Sequence, residues 1–340
     1  MLTIDGSLGE GGGQVLRTSL SLSLVTGKAF RIINIRSRRQ KPGLMQQHLT
    51  SVNAARDICR AGVSGNFKGS LELKFIPGPV RAGKYRFAVG TAGSATLVLQ
   101  TILPPLLTAD DKSHLVLEGG THNPLAPPFD FLDQVFLPLI SRMGPEVSAR
   151  LHRHGFYPAG GGKFSVDITP CPKLKGLEIA ERGEIRQMEA RALVANLPAT
   201  ICERELQVLL KKLPLASNEI RAEEVPSDGP GNYVQLKICS EHITELFAAF
   251  GQKGITAERV ASSLAKEANR YLDADAPVGP HLADQLLLPL AMAGNGSFCT
   301  TEPTTHTMTN IEVIKHFLDV AVAIETKEDR RPRTIIRIVS

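Results

Sequence analysis

One histidine lies in a threonine-rich segment just before a predicted amphipathic helix. His306 occurs in TEPTTHTMTN, residues 301–310, and the apolar spacing of the next residues predicts a helix from about Ile311, capped by Thr309 or Asn310. A histidine just upstream of a helix lies at the positive end of its dipole, which favours the uncharged imidazole. An uncharged imidazole nitrogen can attack an activated phosphorus. By residue type alone, a surface histidine and a metal ligand are the alternatives.

A glycine-rich turn, GEGGGQ at residues 9–14, opens a predicted helix directly after a predicted strand. Backbone N–H groups at such a helix start bind anions. The spacing matches neither the Walker loop nor the dinucleotide fingerprint. Glu10 would repel a phosphate unless a divalent cation lay between them, so the turn favours a metal-bridged nucleotide over a bare anion. A tight structural turn is the alternative.

Basic residues surround the end of the next predicted strand, in RIINIRSRRQKPG. Strand alternation predicts Arg36 and Arg38 on one face and Arg39 beyond the strand. Guanidinium groups bind phosphate bidentately, although a solvated basic loop has the same composition. Gln47 and His48, on the helix that follows, are either supporting polar groups or exposed residues.

Two later segments combine polar residues with structural signals. GPHLADQLLLP places Asp284 at a predicted helix start, where Asp is a natural cap, with His281 on the preceding loop. RHGFYPAGGG, residues 153–162, contains a glycine run that indicates close backbone packing or a bound partner. His152 and His154 alternate along a strand, but no third ligand has metal spacing, so zinc is not predicted.

The composition indicates a soluble protein of the reducing cytoplasm. The chain has 340 residues, a formal charge of +5 and a pI of about 9.0, which mildly favours anionic partners. Aromatics make up 5% and Trp is absent, so stacking platforms do not dominate any nucleic-acid binding. The 5 cysteines form no CxxC pair, and the odd count argues against a disulfide framework. No signal sequence and no membrane-length apolar stretch is visible, so no membrane association is expected.

The organisation predicts an α/β (α+β) fold with three repeated helix-on-sheet units. Each copy is predicted as strand, helix, strand, helix, strand over roughly 60 to 90 residues. The second helix of the third copy is predicted over TNIEVIKHFLDVAVAI. Copies packed around a shared helical core would bury the apolar stripes. Residues 181–276 break the pattern and predict an inserted αβ domain of strand, helix, two strands and long helix, so 1–180 and 277–340 form the main domain.

Seven motifs together resemble the RNA 3'-terminal phosphate cyclase family from end to end. They are GEGGGQVLR, KPGLMQQHL, AGSATLVLQT, NPLAPPFDF, RHGFYPAGGG, HLADQLLLP and THTMTN. The resemblance implies three units similar to the C-terminal domain of translation initiation factor 3 and a smaller thioredoxin-like insert. It also implies an ATP-dependent enzyme that converts an RNA 3'-phosphate end to a 2',3'-cyclic phosphate through histidinyl-AMP and RNA-(3')pp(5')A. ATP and a divalent cation, Mg²⁺ or Mn²⁺, are the implied cofactors.

The same resemblance implies roles for individual residues. His306 matches the nucleophile and Glu10 the carboxylate near the metal. The phosphate and RNA-end set is Gln14, Arg17, Arg36, Arg39 and Gln47. The adenylate pocket is Gln100, Pro127, His281, Leu282, Ala283, Asp284 and Gln285. This chain has His281 where many relatives have a tyrosine that stacks on adenine, and an imidazole stacks more weakly.

Other functions remain open on the sequence. The family includes a ribosome-assembly factor that keeps the fold without cyclising RNA, and the presence of His306 favours the enzyme over it. Enolpyruvyl transferases use related repeats, but the αβ insert argues against them. The sequence leaves open the physiological RNA and the oligomeric state, a homodimer included.

Overall fold

A computed structural model describes residues 1–274, 276–327 and 333–340 of the chain. The protein has a mixed α/β fold built from several helix-on-sheet units. Within the described residues the strands form four sheets of four strands each. Three of these sheets share one strand order.

The first unit begins with the glycine-rich turn between its first strand and first helix. Its elements are β1 (Leu2–Asp5), α1 (Gly13–Thr26), β2 (Phe30–Ile33), α2 (Gln46–Cys59), β3 (Gly62–Ser64) and β4 (Leu73–Ile76). The sheet order is β1-β2-β4-β3, with β1 parallel to β2 and the other pairs antiparallel. The parallel pair requires a crossover, which α1 supplies.

The second unit has the same layout. Its elements are β5 (Lys84–Ala88), α3 (Ala95–Leu106), β6 (Ser113–Gly119), α4 (Phe129–Phe131), a π-helical turn (Leu132–Phe136), α5 (Leu137–Arg142), β7 (Glu146–Arg153) and β8 (Gly162–Thr169). The sheet order is β5-β6-β8-β7. Helix α3 begins at a true cap, because Ser94 Oγ accepts the N–H of Leu97 at 3.3 Å.

The third unit is interrupted after its first strand. Residues 180–279 separate its strand β9 (Glu178–Ile179) from the rest of the unit. The remaining elements are α8 (Pro280–Ala293), β14 (Asn295–Thr300), α9 (Thr305–Phe317), β15 (Ala321–Lys327) and β16 (Arg333–Val339). The order β15-β16-β14-β9, read from its other edge, repeats that of the first two sheets.

The elements between β9 and α8, hereafter the insert, form their own sheet. They are β10 (Ile185–Ala195), α6 (Thr200–Lys212), a 3₁₀ turn (Ser217–Glu219), β11 (Ile220–Glu224), β12 (Gly231–Ser240), β13 (Thr244–Phe250) and α7 (Ala257–Asp273). The order is β11-β10-β12-β13. Helices α6 and α7 pack side by side on one face and enclose a core of their own.

The helices of the three units pack on one another, with α1 in contact with α2, α3 and α9. One continuous apolar core joins the three units. The inner helices are therefore almost wholly buried, including α3 with its long apolar run. Such a core explains why α1 and α8 lack the one-sided apolar stripe of a surface helix.

Several element boundaries predicted from sequence are wrong. Helix α9 ends at Phe317, and the VAVAI segment assigned to it forms β15, as its β-branched alternation favours. One strand was missed in each unit, β3, β8 and β15, because a single strand was expected after each second helix. The insert contains a third strand after its first helix, β13, where only two were predicted.

Two predicted helix starts are also wrong. Helix α9 begins at Thr305, six residues before the predicted start near Ile311, because Thr304 caps it by accepting the N–H of Thr307 at 3.1 Å. Threonine has low helix propensity, so the sequence did not predict this first turn of α9. Helix α8 begins at Pro280 after the N-cap Gly279, so Asp284 lies inside the helix and is not its cap.

Candidate functional site

Side chains from four helices meet where α1, α8 and α9 begin. His306 lies in the first turn of α9, and its Nδ1 is 2.5 Å from Gln14 Oε1 in the first turn of α1. Gln14 Nε2 donates to Asp284 Oδ1 of α8 at 2.7 Å. Because Gln14 Oε1 can only accept, Nδ1 carries the proton and Nε2 presents its lone pair in the uncharged ring.

Asp284 is the half-buried anchor of this arrangement. Its carboxylate accepts from Gln14 and from Asn310 Nδ2, and Asn310 Oδ1 accepts the hydroxyl of Thr18 at 2.7 Å. Burial raises the pKa of Asp284, while His306, Asn310, Arg17 and Gln14 act in the opposite direction. The chain of contacts fixes the carboxylate, and through Gln14 it fixes the imidazole.

Arg17 and two glutamines form a second chain across the helices. Arg17 Nε donates to Gln100 Oε1 of α3 at 3.1 Å, and Gln100 Nε2 donates to Gln285 Oε1 of α8 at 2.9 Å. Burial lowers the pKa of Arg17 to about 10, although Asp284 raises it. The guanidinium remains charged at neutral pH, and its unused N–H groups are available to an anion.

Gly13 leaves the space that this packing needs. A Cβ on Gly13 would lie 2.4 Å from His48 Nε2 and 2.8 Å from Arg17 Nη1. His48 is buried, and its Nδ1 accepts the N–H of Met45 at 3.1 Å. Burial and the charges of Arg17 and Arg36 lower the pKa of His48 to about 3, so this histidine is uncharged. It is a buried support and not an exposed residue.

Glu10 and Arg39 lie on the exposed side of His306. Glu10 Oε2 is 3.4 Å from His306 Nε2 and 3.2 Å from Arg39 Nη2. The His306 side chain is 47% exposed, and Glu10 is the carboxylate next to its Nε2. Carboxylate, imidazole and guanidinium therefore lie within reach of one bound group.

Arg36 and Gln47 make backbone contacts next to this site. Strand β2 ends at Ile33, and Arg36 lies in the following turn with φ of 52°, so the predicted shared strand face with Arg38 is wrong. Arg36 Nη1 donates to the carbonyls of Lys41 and Gly43 at 2.7 and 2.9 Å. Gln47 Oε1 accepts the N–H of Ser94 at 2.9 Å and joins the first unit to the second.

A cavity of about 400 Å³ opens beside His306. Most of the predicted site residues line it, namely Gln14, Arg17, Gln100, Pro127, His281, Asp284, Gln285 and His306. Its volume suits a nucleotide-sized ligand. Leu282 and Ala283 lie between two lining residues of α8, but their side chains are buried in the core at 0% and 1% exposure.

The carbonyl of Pro127 accepts the hydroxyl of Thr96 at 2.8 Å, which ties the proline wall of the cavity to α3. His281 lies in the first turn of α8 at the cavity mouth, and not on the preceding loop as predicted. Its Nε2 is 3.1 Å from Glu267 Oε1 of α7, and this hydrogen-bonded carboxylate raises the pKa of His281.

The chain is similar to known proteins over most of its length. The family model described as RNA 3'-terminal phosphate cyclase matches residues 8–324. The chain belongs to the RNA 3'-terminal phosphate cyclase family. A curated relative of that name from Koribacter versatilis (strain Ellin345) is 52% identical over 330 residues, which cover 97% of this chain and 93% of the relative. Another, from Salmonella agona (strain SL483), is 50% identical over 325 residues, which cover 96% of this chain and 94% of the relative. A third, from Ralstonia nicotianae (strain ATCC BAA-1114 / GMI1000), is 48% identical over 329 residues, with 96% and 94% covered.

Sequence reasoning missed several residues of this candidate site. Asn310 was considered only as a helix cap, and Thr18 was not considered, although it lies one helical turn after Gln14 on α1. Leu246, Ala248 and Phe250 of β13 also line the cavity. Their alternating positions in TELFAAF are the signal that could have identified a strand with one face on a ligand.

The residues around His306 fit a weakly held divalent cation. Among the described residues no group of three or more His, Cys, Asp and Glu side chains could enclose a metal ion. Mg²⁺ commonly uses one or two carboxylates together with substrate phosphates, and Glu10 offers one such carboxylate. In the part of the chain that the structure describes, no helix has the length and apolar character needed to cross a bilayer.

Proposed function

We propose that this chain is an ATP-dependent RNA 3'-terminal phosphate cyclase whose nucleophile is His306 Nε2. The observation that carries the proposal is the hydrogen bond between His306 Nδ1 and Gln14, which directs the other ring nitrogen, Nε2, toward Glu10 on the exposed side of a histidine that lines a nucleotide-sized cavity. Family membership over residues 8–324 supports the cyclase activity itself. The intermediates and the residue roles are our inference from the geometry and the resemblance.

In the first step, His306 Nε2 attacks the α-phosphorus of ATP. The new bond joins Nε2 to phosphorus, and the bond to the bridging oxygen breaks and releases pyrophosphate. The ring becomes cationic as this bond forms, and the proton on Nδ1 remains shared with Gln14 Oε1. Asp284, one hydrogen bond further away, supplies negative charge that stabilises this cation, a form of preorganised electrostatic stabilisation.

The second step transfers AMP to the RNA end. An oxygen of the RNA 3'-phosphate attacks the same phosphorus, the N–P bond breaks, and His306 regains its lone pair. The product is the RNA-(3')pp(5')A anhydride. Activation is needed because an unmodified phosphate offers no good leaving group for ring closure.

In the third step, the neighbouring 2'-OH attacks the 3'-phosphorus. The anhydride bond breaks, AMP leaves, and the 2',3'-cyclic phosphate forms, with the hydroxyl proton lost to solvent or to a nearby base. The requirement for a 2'-OH makes RNA the substrate that is cyclised. His306 is then free for the next ATP.

We assign the nucleotide to the cavity and the phosphates to its mouth. Gln100, Gln285 and Asp284 offer polar groups along one wall, and Pro127 and His281 offer flat surfaces for the base. Arg17 and Arg39 bring positive charge to the phosphates. No side chain among the described residues caps α1, so its first-turn N–H groups can donate to a bound anion.

Arg36, Gln47 and Gln14 support the phosphate and RNA-end site in different ways. Arg36 and Gln47 hold the loops at residues 41–43 and around Ser94 through backbone contacts. Gln14 orients the nucleophile. A bound Mg²⁺ or Mn²⁺ would be held by Glu10 and would neutralise phosphate charge.

The fold proposals follow the same resemblance. The shared strand order of the three main sheets supports units like the C-terminal domain of translation initiation factor 3. The separate sheet and core of the insert support a thioredoxin-like domain at 181–276, within a main domain of 1–180 and 277–340. Cys59, Cys171, Cys202 and Cys239 are not joined by disulfides, which supports a cytoplasmic location.

The decisive experiment is self-labelling with α-labelled ATP and a divalent cation. Wild-type protein should take up an acid-labile, alkali-stable label, and His306→Ala should take up none while keeping the wild-type melting temperature. His316→Ala is the matched control, because His316 lies near the other end of the same helix. Label retained in His306→Ala would refute the assignment, and absence of label in wild type would favour a non-catalytic RNA-binding relative.

A further inference from the structure

The insert supplies one wall of the cavity. Strand β13 presents Leu246, Ala248 and Phe250 to it, at the alternating positions that share one face of a strand. Phe247, between them, is buried in the insert's own core. One face of the insert's sheet thus packs into the insert's own core, and the other face of its edge strand β13 lines the cavity.

Glu245 joins this strand to the start of α8. Its side chain is 2% exposed, and Oε1 accepts the N–H of Gly279 at 2.6 Å. Gly279 is the N-cap of α8, and within the described part of the chain no side chain of α8 caps its own start. Glu245 thus makes the contact that a glutamate makes in a capping box, but from a different sheet. A carboxylate at this end is also favoured by the helix dipole.

The first turns of α8 carry three residues of the cavity, His281, Asp284 and Gln285. Because a helix is stiff, the position of Gly279 sets the position of all three side chains. His281 and Glu267 make a second contact between α8 and the insert, but His281 is 75% exposed there, and exposed ion pairs contribute little. The buried contact of Glu245 is the stronger constraint.

We propose that Glu245 is a positioning residue of the nucleotide site, which holds the first turn of α8 against β13 so that the insert and α8 together form the pocket for ATP. This role rests on the proposed function, since it assigns ATP to the cavity. It also gives the insert a part in the reaction: without the insert, one wall of the pocket and the anchor of α8 would both be missing.

The chemistry of the contact identifies a conservative variant. Burial raises the pKa of Glu245 to about 7, and the backbone N–H groups of Gly279 and Leu246 act in the opposite direction. The N–H of Gly279 needs an acceptor oxygen, which a glutamine side chain also has. Glu245→Gln should therefore keep the position of α8, and Glu245→Ala should lose it.

The test compares these variants in three measurements: the dissociation constant for ATP by titration calorimetry, the KM for ATP and kcat of cyclisation, and hydrogen exchange of residues 279–285 without nucleotide. Glu245→Ala should raise the dissociation constant and KM by about tenfold, equivalent to about 1.4 kcal/mol. Its kcat should fall by less than about threefold, because Asp284, which orients His306 through Gln14, is also held by Asn310 of α9. Exchange should be faster in 279–285. Glu245→Gln should stay within about twofold of wild type in all three.

Glu205→Ala is the matched control. Glu205 is also a buried carboxylate of the insert, with a pKa raised to about 7 by burial, but it contacts Asn232 and does not line the cavity. The variant should lower the melting temperature and leave the ATP dissociation constant unchanged below it. Wild-type affinity and exchange in Glu245→Ala, or equal loss of affinity in Glu205→Ala, would overturn the proposal. Faster exchange in Glu245→Ala, with no label on wild type, would support the positioning of α8 and refute the ATP-dependent function.

Discussion

Replacement of Gln14 tests the proposed nucleophile without removing it. The Gln14 side chain is 6% exposed and makes three contacts, to Asp284 Oδ1 at 2.7 Å, to the His306 carbonyl at 3.2 Å and to His306 Nδ1 at 2.5 Å. Gln14→Leu keeps the approximate volume and removes all three. One lost hydrogen bond to the half-buried, charged Asp284 carboxylate is worth about 1.5–3 kcal/mol, so the free energy of unfolding should fall by about that amount.

The effect on the reaction should exceed the effect on folding. Without the Oε1 acceptor, the imidazole can rotate, and its proton can move to Nε2, the atom that must attack phosphorus. A loss of about 1.4–2.8 kcal/mol in transition-state stabilisation corresponds to a rate about 10–100-fold lower. The assay is the single-turnover rate of label uptake from α-labelled ATP, at a temperature where the variant is folded by circular dichroism.

Gln14→Glu tests the direction in which the rate changes with pH. A neutral glutamic acid reproduces both contacts of glutamine, since its hydroxyl donates to Asp284 and its carbonyl accepts from Nδ1. A glutamate anion cannot, because two carboxylates at hydrogen-bond distance do not both ionise readily. The pair therefore holds a proton at low pH and loses it as the pH rises above the raised pKa of the pair. The variant's carboxylate then has no proton to donate to Asp284, so the hydrogen-bonded chain that orients the imidazole is broken.

The rate of Gln14→Glu relative to wild type should consequently fall as the pH rises from about 5.5 to about 8.5. Dividing the variant's rate by the wild-type rate removes any pH dependence that both proteins share. A constant ratio over this range would refute the assignment of Gln14 as the link between Asp284 and the imidazole. So would a wild-type rate in Gln14→Leu.

Three further predictions concern packing, pH and charge. Gly13→Ala should lower the free energy of unfolding by about 1–3 kcal/mol and slow label uptake, because the new Cβ displaces His48; thermal unfolding and the labelling assay check both. His48 has a folded pKa of about 3, below its unfolded value, so the free energy of unfolding falls as the pH drops below about 6.5, with a slope of up to about 1.4 kcal/mol per pH unit. His48→Gln should lose that part of the slope, and urea titrations at several pH values measure it. Arg191→Ala should cost about 1.5–3 kcal/mol in urea unfolding, because it removes the charged hydrogen bond that Arg191 Nη1 donates to buried Asp130 at 3.0 Å, while His122 Nε2 stays in contact with the other oxygen of Asp130. A cost near zero would contradict this reading.

The sequence by itself determined much of the architecture. Apolar periodicity separated helices from strands, and the repeated order of elements predicted three helix-on-sheet units with a segment of different pattern between residues 181 and 276. These features are local, because a side-chain period of two or 3.6 depends on nearby residues only. Predicted element boundaries were less accurate where the local signal was weak. Helix α9 begins after the cap Thr304, earlier than predicted, because threonine has low helix propensity. The segment of β15 was predicted as the end of a helix.

Only the tertiary structure decided which residues form the site. Gln14 and His306 are separated by 292 residues, and Gln14 and Asp284 by 270, so no spacing in the chain could show that they form one hydrogen-bonded set. The insert was predicted as a separate unit, yet its strand β13 lines the cavity and its Glu245 holds α8. Such contacts arise when several helix starts are packed around one core, because packing depends on the shapes of all the partners together and not on the pattern of any one segment.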